Sequence, residues 1–383
     1  MKRFVQIIKV ILIMVLLYAF IFVPIPFYLE VPGKAFGLDG MVEVNNEFSN
    51  EPGDFYLTTV AIQQATPLTA LSSVLPFRDL LSEVDLFGDI EDFEEYDAMQ
   101  HYYMNSSINT AVQVAFEAAD LEYELQYNGV YVLHVLEEST FAGELKIGDT
   151  VKAADGIAFE SSHDFIEYIS NKNVGETVTI EIDRDGEVLS ASGELILLDS
   201  GMAGIGIGLA DNTSINTNPD VSIHSGAIGG PSAGLMFSLQ IYKQLTGENI
   251  HGDKDIAGTG TISPDGTVGR IGGIAKKVVA SDEEGIDYFF APDDEITAEM
   301  KAVYPDLKSN YEEAVDAAEA IDTEMEIIPV KNISDAIDFL EKLDKEAAVL
   351  EYRPNISKIF SDDLSGPLKE VAHSLNEYLL DEF

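Results

Sequence analysis

Apolar residues follow three different rhythms along this chain. From Val10 to Leu29 the segment VILIMVLLYAFIFVPIPFYL holds no charged residue. At about 1.5 Å of rise per residue, a helix of that length crosses a hydrocarbon layer about 30 Å thick. The run is longer than the apolar core of a cleaved leader, and no A-x-A-like site follows it, so residues 1–29 are expected to be a short N-terminus and a membrane-spanning helix. FYLEVPGKAFGL and GDFYLTTVAI then alternate as strands do. They open a β-rich membrane-proximal region, 30–120, which includes nine acidic residues between Asp79 and Asp97 that read as a solvated connector. Between 121 and 196 the strands shorten: GVYVLHVL, LKIGDTVKAADGIAF and TVTIEIDRDGEVLSASGEL surround one helical segment, HDFIEYISN, with Phe165, Ile166 and Ile169 on one side. Asp185-Gly186 between alternating runs marks a hairpin.

From 197 to 347 the pattern becomes mixed. Leu235, Met236, Leu239, Tyr242 and Leu245 form a helical stripe that Gly247 stops. Leu368, Val371, Leu375 and Leu379 predict a helical tail within 348–383. No period of 20–50 residues recurs, which argues against a solenoid. The fold class expected is therefore α+β and multidomain.

Charge sharpens this picture. The chain has 22 Lys+Arg against 68 Asp+Glu, a net charge of −46, yet Lys2, Arg3 and Lys9 stand before the apolar run with no acid among them. Basic flanks stay in the cytoplasm, so the N-terminus is expected inside and the acidic body outside the cell. So acidic a body repels phosphate backbones, which excludes nucleic acid as a partner. With no Cys, a nucleophile has to be a hydroxyl, an amine or a carboxylate. The six His residues are scattered, without the spacing of a zinc helix, so no metal is expected.

Gly becomes dense after residue 201, but GIGIGL, GGPSAG, GTGTIS and GRIGG do not continue into Gly-Lys-Ser/Thr, nor do they form a dinucleotide fingerprint. No nucleotide and no cofactor are expected. In GGPSAGLMFSLQIYKQLTGENI, the bend Gly229-Gly230-Pro231 delivers Ser232 to a helix start, followed by Ala233. Two readings stand side by side. Ser232 is an ordinary N-cap, or it is a nucleophile beside free backbone N–H groups and a positive helix end. A nucleophile needs a base. His224 lies eight residues upstream without a convincing carboxylate partner, and Lys243 lies eleven residues along the helix, about 16 Å away by helix rise. Lys276 and Lys277 in IGGIAKKVVAS remain, beside an apolar helix face that can strip water from an amine.

Two resemblances rest on these residues. Leu145, Gly148, Asp149, Val151, Asp155 and Gly156, in the spacing L-x-x-G-D-x-V-x-x-x-D-G, resemble a bacterial protease-associated PDZ domain. That implies peptide capture by β-addition at Val130, Tyr131 and Val132, against the 163–170 helix. GGPSAG, LTGENI and AGTGTISPDGTVGRIGGIAKKVVAS, in that order, resemble the proteolytic domain of the Lon family over about Gly201 to Leu343, which implies strands at DYFFAP and EIIPV and a helix at SDAIDFLEKL.

The Lon resemblance implies a Ser-Lys dyad. Ser232 takes the nucleophile position within the turn Gly230-Pro231-Ala233, Lys277 the general-base position, and Thr259 orients the lysine. Lys276 falls where the family has a surface residue. One departure is Gly229, at a position where Lon enzymes usually carry an acid. The whole layout resembles membrane-bound, ATP-independent proteases of Gram-positive bacteria that lack the Lon ATPase module. It implies protein or peptide substrates, a membrane anchor, an external catalytic body and assembly as a homo-oligomer. Gly204, Ile205 and Gly206 are expected to pair with an extended substrate. The rival is a non-catalytic external adaptor that binds peptides on a Lon-like scaffold.

Overall fold

The computed structural model describes residues 2–343, apart from 89, 91, 92, 185 and 248. The expected tail stripe at 368–379 lies outside the described residues. Helix α1 (Lys2–Phe22) is charge-free from Val10 onward, and none of its residues from Arg3 to Phe22 is buried. It is long and apolar enough to cross a membrane, a property that signal sequences share. The apolar run to Leu29 was expected to be helical throughout. Instead the helix stops at Phe22, because Pro24 and Pro26 cannot extend the ladder, and a strand begins at Phe27.

The strands and helices that follow are β1 (Phe27–Gly37), β2 (Phe55–Gln64), β3 (Asp79–Ser82), α2 (Phe93–Ala118), β4 (Tyr123–Val135), β5 (Thr150–Ala154), α3 (Ser162–Ser170), β6 (Thr177–Arg184), β7 (Glu187–Glu194) and β8 (Ile207–Thr217). Beyond them come α4 (Gly234–Thr246), β9 (Ile256–Gly258), α5 (Ile274–Glu284), β10 (Tyr288–Pro292), α6 (Asn310–Ile321) and β11 (Glu326–Val330). A helical stretch at 333–343 follows.

A six-stranded mixed sheet orders these as β11-β10-β9-β2-β1-β3. β9 lies parallel to β2, with Ile256 opposite Phe55 and Gly258 opposite Leu57, and β2 lies antiparallel to β1. Residues from before 83 and after 255 thus share one sheet. The sequence reading set 30–120 apart from a catalytic domain at 197–347. Phe55, Leu57, Met104 and Phe116 share a core with Leu235, Phe237 and Ile256, so the two stretches fold as one body. Strand rhythm alone gave no sign of this, because β2 finds its partner some 200 residues along the chain.

A second sheet, β7-β6-β5-β4-β8, is inserted between these halves and has its own core, with Val130, Val132, Phe165, Ile180 and Ile182 buried. β6 and β7 pair antiparallel with Arg184 opposite Glu187, as the Asp-Gly signal implied.

Helix α2 ties the two bodies together. Its apolar positions Met104, Ala111, Val112 and Ala115 are buried against α4 at helical spacing. Its other face reaches β8, where the Tyr102 hydroxyl donates to the Asp211 carbonyl at 2.7 Å and Asn109 Nδ2 donates to the Thr213 carbonyl at 2.8 Å.

Candidate active site

Three side chains that lie far apart in sequence meet at the N-terminal end of α4. Ser232 sits just before the helix, whose N-cap is Ala233 and has no side-chain cap. The N-cap reading of Ser232 therefore falls, and its hydroxyl is left for another partner. Lys277 Nζ lies 2.6 Å from Ser232 Oγ. Thr259, fully buried, accepts an N–H from Lys277 Nζ at 2.9 Å and donates its own hydroxyl proton to the Ser232 carbonyl at 3.1 Å. That proton assignment matters chemically. With one Nζ–H held by Thr259, the amine lone pair can face the Ser232 hydroxyl. The Gly260 N–H donates to the same Ser232 carbonyl at 2.9 Å, so the backbone of the serine is held from two sides.

The lysine is supplied by α5, which packs Ile274 and Val278 into the core and leaves Lys277 only 3% exposed. Burial removes water from the ammonium and pushes Lys277 from 10.5 down to about 7, against an opposing pull from the Glu30 carboxylate. A substantial fraction is thus unprotonated near neutral pH, as a base must be. Lys276 was expected at the surface. It is only 6% exposed, and its Nζ lies 2.8 Å from Glu30 Oε2 and 2.5 Å from Asp79 Oδ2. Burial alone would lower Lys276; the two carboxylates instead hold it above its ordinary value. Adjacent lysines on one helix are therefore split into an ion-paired cation and a desolvated amine. Glu30 is shared between them, balanced by Lys276 and felt by Lys277.

A cleft of about 830 Å³ opens over Ser232 and Lys277. Its walls include Glu30, Thr59, Val60 and Ile62 from β1 and β2, Gln100 and Met104 from α2, and the turn Ala227–Ala233. β9 ends at Gly258 opposite Leu57, so β2 continues past its parallel neighbour along this cleft. The sequence reading found β2 as a strand but placed neither it nor Glu30 or α2 at the site. Only the helical spacing of Met104, Ala111, Val112 and Ala115 could have marked α2.

The bend before Ser232 is built for close approach. Gly230 has φ 90°, in the left-handed region that side chains disfavour. A Cβ on Gly229 would lie 2.8 Å from Gln100 Cβ, so α2 occupies the space that a side chain there would need. This accounts for glycine at the position where the resemblance led one to expect an acid. His224, the rejected base, lies 3.3 Å from Glu43 at the protein surface.

The peptide-binding residues come out differently. Val130, Tyr131 and Val132 were expected on an edge open to an added strand. They lie in β4, which is paired on both sides: Val130 faces Val151 of β5, and Val132 faces Leu209 of β8. A central strand has no unpaired backbone to offer, and the edges of this sheet are β7 and β8. Gly204, Ile205 and Gly206 were expected against substrate near the serine. Ile205 is buried in the core of the inserted domain and its carbonyl accepts from Ser139 Oγ, while the Gly206 carbonyl accepts from the Leu136 N–H. They lead into β8 and do not line the cleft.

Comparison with known proteins matches residues 114–195 to the PDZ domain and residues 207–342 to the Lon protease (S16) C-terminal proteolytic domain. Curated relatives include a Lon protease of Chloroflexus aggregans, 27% identical over 49% of this chain and 21% of the relative. A peroxisomal Lon protease homolog 2 of Caenorhabditis elegans is 32% identical over 45% of this chain and 20% of that protein. The chain thus spans about a fifth of the length of the curated relatives it matches. A solved PDZ domain of an SdrC-like protein from Listeria monocytogenes is 39% identical over 22% of this chain and 92% of that one, with a TM-score of 0.22.

Proposed function

Because the chain joins a PDZ domain to a proteolytic domain of the Lon (S16) type, we propose that it is a serine endopeptidase working through a Ser232–Lys277 dyad, without ATP, on protein segments outside the cytoplasm. The observation that carries this reading is Lys277 Nζ at 2.6 Å from Ser232 Oγ, on an amine that burial brings to about 7. A degenerate adaptor scaffold would have no need of either feature.

In this mechanism neutral Lys277 removes the Ser232 proton as the oxygen attacks a peptide carbonyl. Thr259 keeps the amine lone pair on Ser232. Backbone N–H groups at the start of α4, at the positive end of its dipole, hold the oxyanion. Lysinium then protonates the leaving amine, and water releases the acyl group with Lys277 again as base. An extended substrate is placed along β2 in the cleft. The PDZ domain captures a peptide on the outer side of β8 at 207–210, beside α3, whose Ser162 N–H donates to Asp211 at 2.8 Å. α1 anchors the chain in the membrane, and Lys2, Arg3 and Lys9 put its N-terminus in the cytoplasm.

The test uses the purified full chain in detergent and casein as a generic unfolded protein. The unsubstituted chain is expected to cleave casein with no nucleotide added, and Ser232→Ala to leave it intact. Equal cleavage by both, or cleavage only with ATP, would overturn the reading.

A further inference from the structure

We propose that Ser107, on α2, is a positioning residue for the nucleophile, fixing the peptide unit that carries Ser232. The inference rests on the serine-peptidase reading and extends it to a helix some 120 residues away in sequence. The Ser107 hydroxyl donates to the Pro231 carbonyl at 3.0 Å. That carbonyl belongs to the peptide group whose nitrogen is Ser232's own, so holding it sets the plane from which the serine Cα and Oγ project.

A second contact from the same helix face, seven residues earlier, fixes the other end of the bend. The Gly230 N–H donates to the Gln100 carbonyl at 2.9 Å. Residues 100, 104 and 107 fall on one side of a helix. Gln100 and Met104 line the cleft, and Ser107 is only 7% exposed. Beyond Ser232, Thr259 and Gly260 hold the serine's own carbonyl. The nucleophile is therefore gripped from before by α2 and from after by the 259–260 turn. Without the Ser107 contact the Pro231–Ser232 peptide is free to rock.

Packing offers a competing explanation. A Cβ on Gly234 would come within 2.8 Å of Ser107 Oγ, so Ser107 sits where α2 and α4 approach closely and only a small side chain fits. The two accounts separate on Ser107→Ala, which keeps the small size and removes only the hydroxyl. A displacement of about 1 Å at the reacting atoms costs on the order of 10²-fold in rate. Positioning predicts that kcat on a casein-derived peptide falls about 10- to 100-fold while KM stays within about twofold. The rise of rate with pH stays centred near 7, since Lys277 keeps its burial. Circular dichroism and the melting temperature should stay near those of the unsubstituted chain.

Ser107→Ala with unchanged kcat, or with a fall in rate that tracks loss of folded protein, overturns the proposal. The unsubstituted chain and Ser232→Ala run alongside. If Ser232→Ala is dead while Ser107→Ala is fully active, only the positioning role fails. If the unsubstituted chain cleaves no better than Ser232→Ala, the peptidase reading fails and the role of Ser107 falls with it.

Discussion

Replacing Lys277 with Met is expected to lower the rate of peptide cleavage roughly 10⁴-fold, the upper range for removing a general base, with far less effect on peptide binding. Met preserves length and apolar packing but cannot take a proton. The nearest other amine, Lys276, is committed to Glu30 and Asp79 and held in its charged form. His224 is engaged with Glu43 elsewhere. Steady-state kinetics on a fluorogenic peptide checks this result. A Lys277→Met chain that kept more than a tenth of the rate would show that Ser232 draws on a different base. Lys276→Ala should remain active, because it removes no group from the proton path, although it leaves Glu30 unbalanced beside Lys277.

The same substitution is expected to make the protein more stable at neutral pH, the second large effect. Lys277 sits at about 7 in the folded chain against 10.5 as the ordinary value. Below pH 7 both folded and unfolded chains hold the proton, and the folded chain bears the full cost of an ammonium stripped of water. Between pH 7 and 10.5 the unfolded chain holds more protons, so stability rises with pH, and above 10.5 the penalty is gone. The cost at pH 7 and below is on the order of 3–5 kcal/mol. Met avoids it but leaves the Ser232 and Thr259 hydroxyls without their amine partner, which offsets about 1–2 kcal/mol. The net expectation is a gain of roughly 2–3 kcal/mol at pH 6–7 that shrinks as pH rises toward 10. Chemical denaturation of the detergent-solubilised chain at pH 6.5 and 9.5 measures it. Equal stability differences at the two pH values would mean that Lys277 titrates normally.

These effects trace to side chains of unequal legibility. Ser232, Thr259 and Lys277 were singled out through the resemblance that their motifs carry, and the structure brings all three within hydrogen-bonding distance. The helix after Ser232 and the helix at 162–170 were legible from periodicity, which needs only neighbours in sequence, while the strands at 288–292 and 326–330 came with the resemblance.

What escaped depends on partners distant in sequence. Pairing of β2 with β9 makes residues 30–120 part of the body that carries Ser232 and Lys277, and no local rhythm reports it. Val130 to Val132 read as an edge strand because alternation shows which face is buried but says nothing about whether the edges are taken. Apart from the resemblance, Lys276 and Lys277 look alike in sequence, and their different environments come from Glu30 and Asp79, some 200 residues or more away.

The dependence of kcat/KM on pH tests the dyad most directly, measured for the unsubstituted chain and for Glu30→Gln. The account predicts a single ascending limb near pH 7, where Lys277 loses its proton, and a shift of that limb to lower pH in Glu30→Gln, because the carboxylate that favours the ammonium is gone. A rate that is flat from pH 5 to 9, or a limb that Glu30→Gln leaves in place, would contradict it.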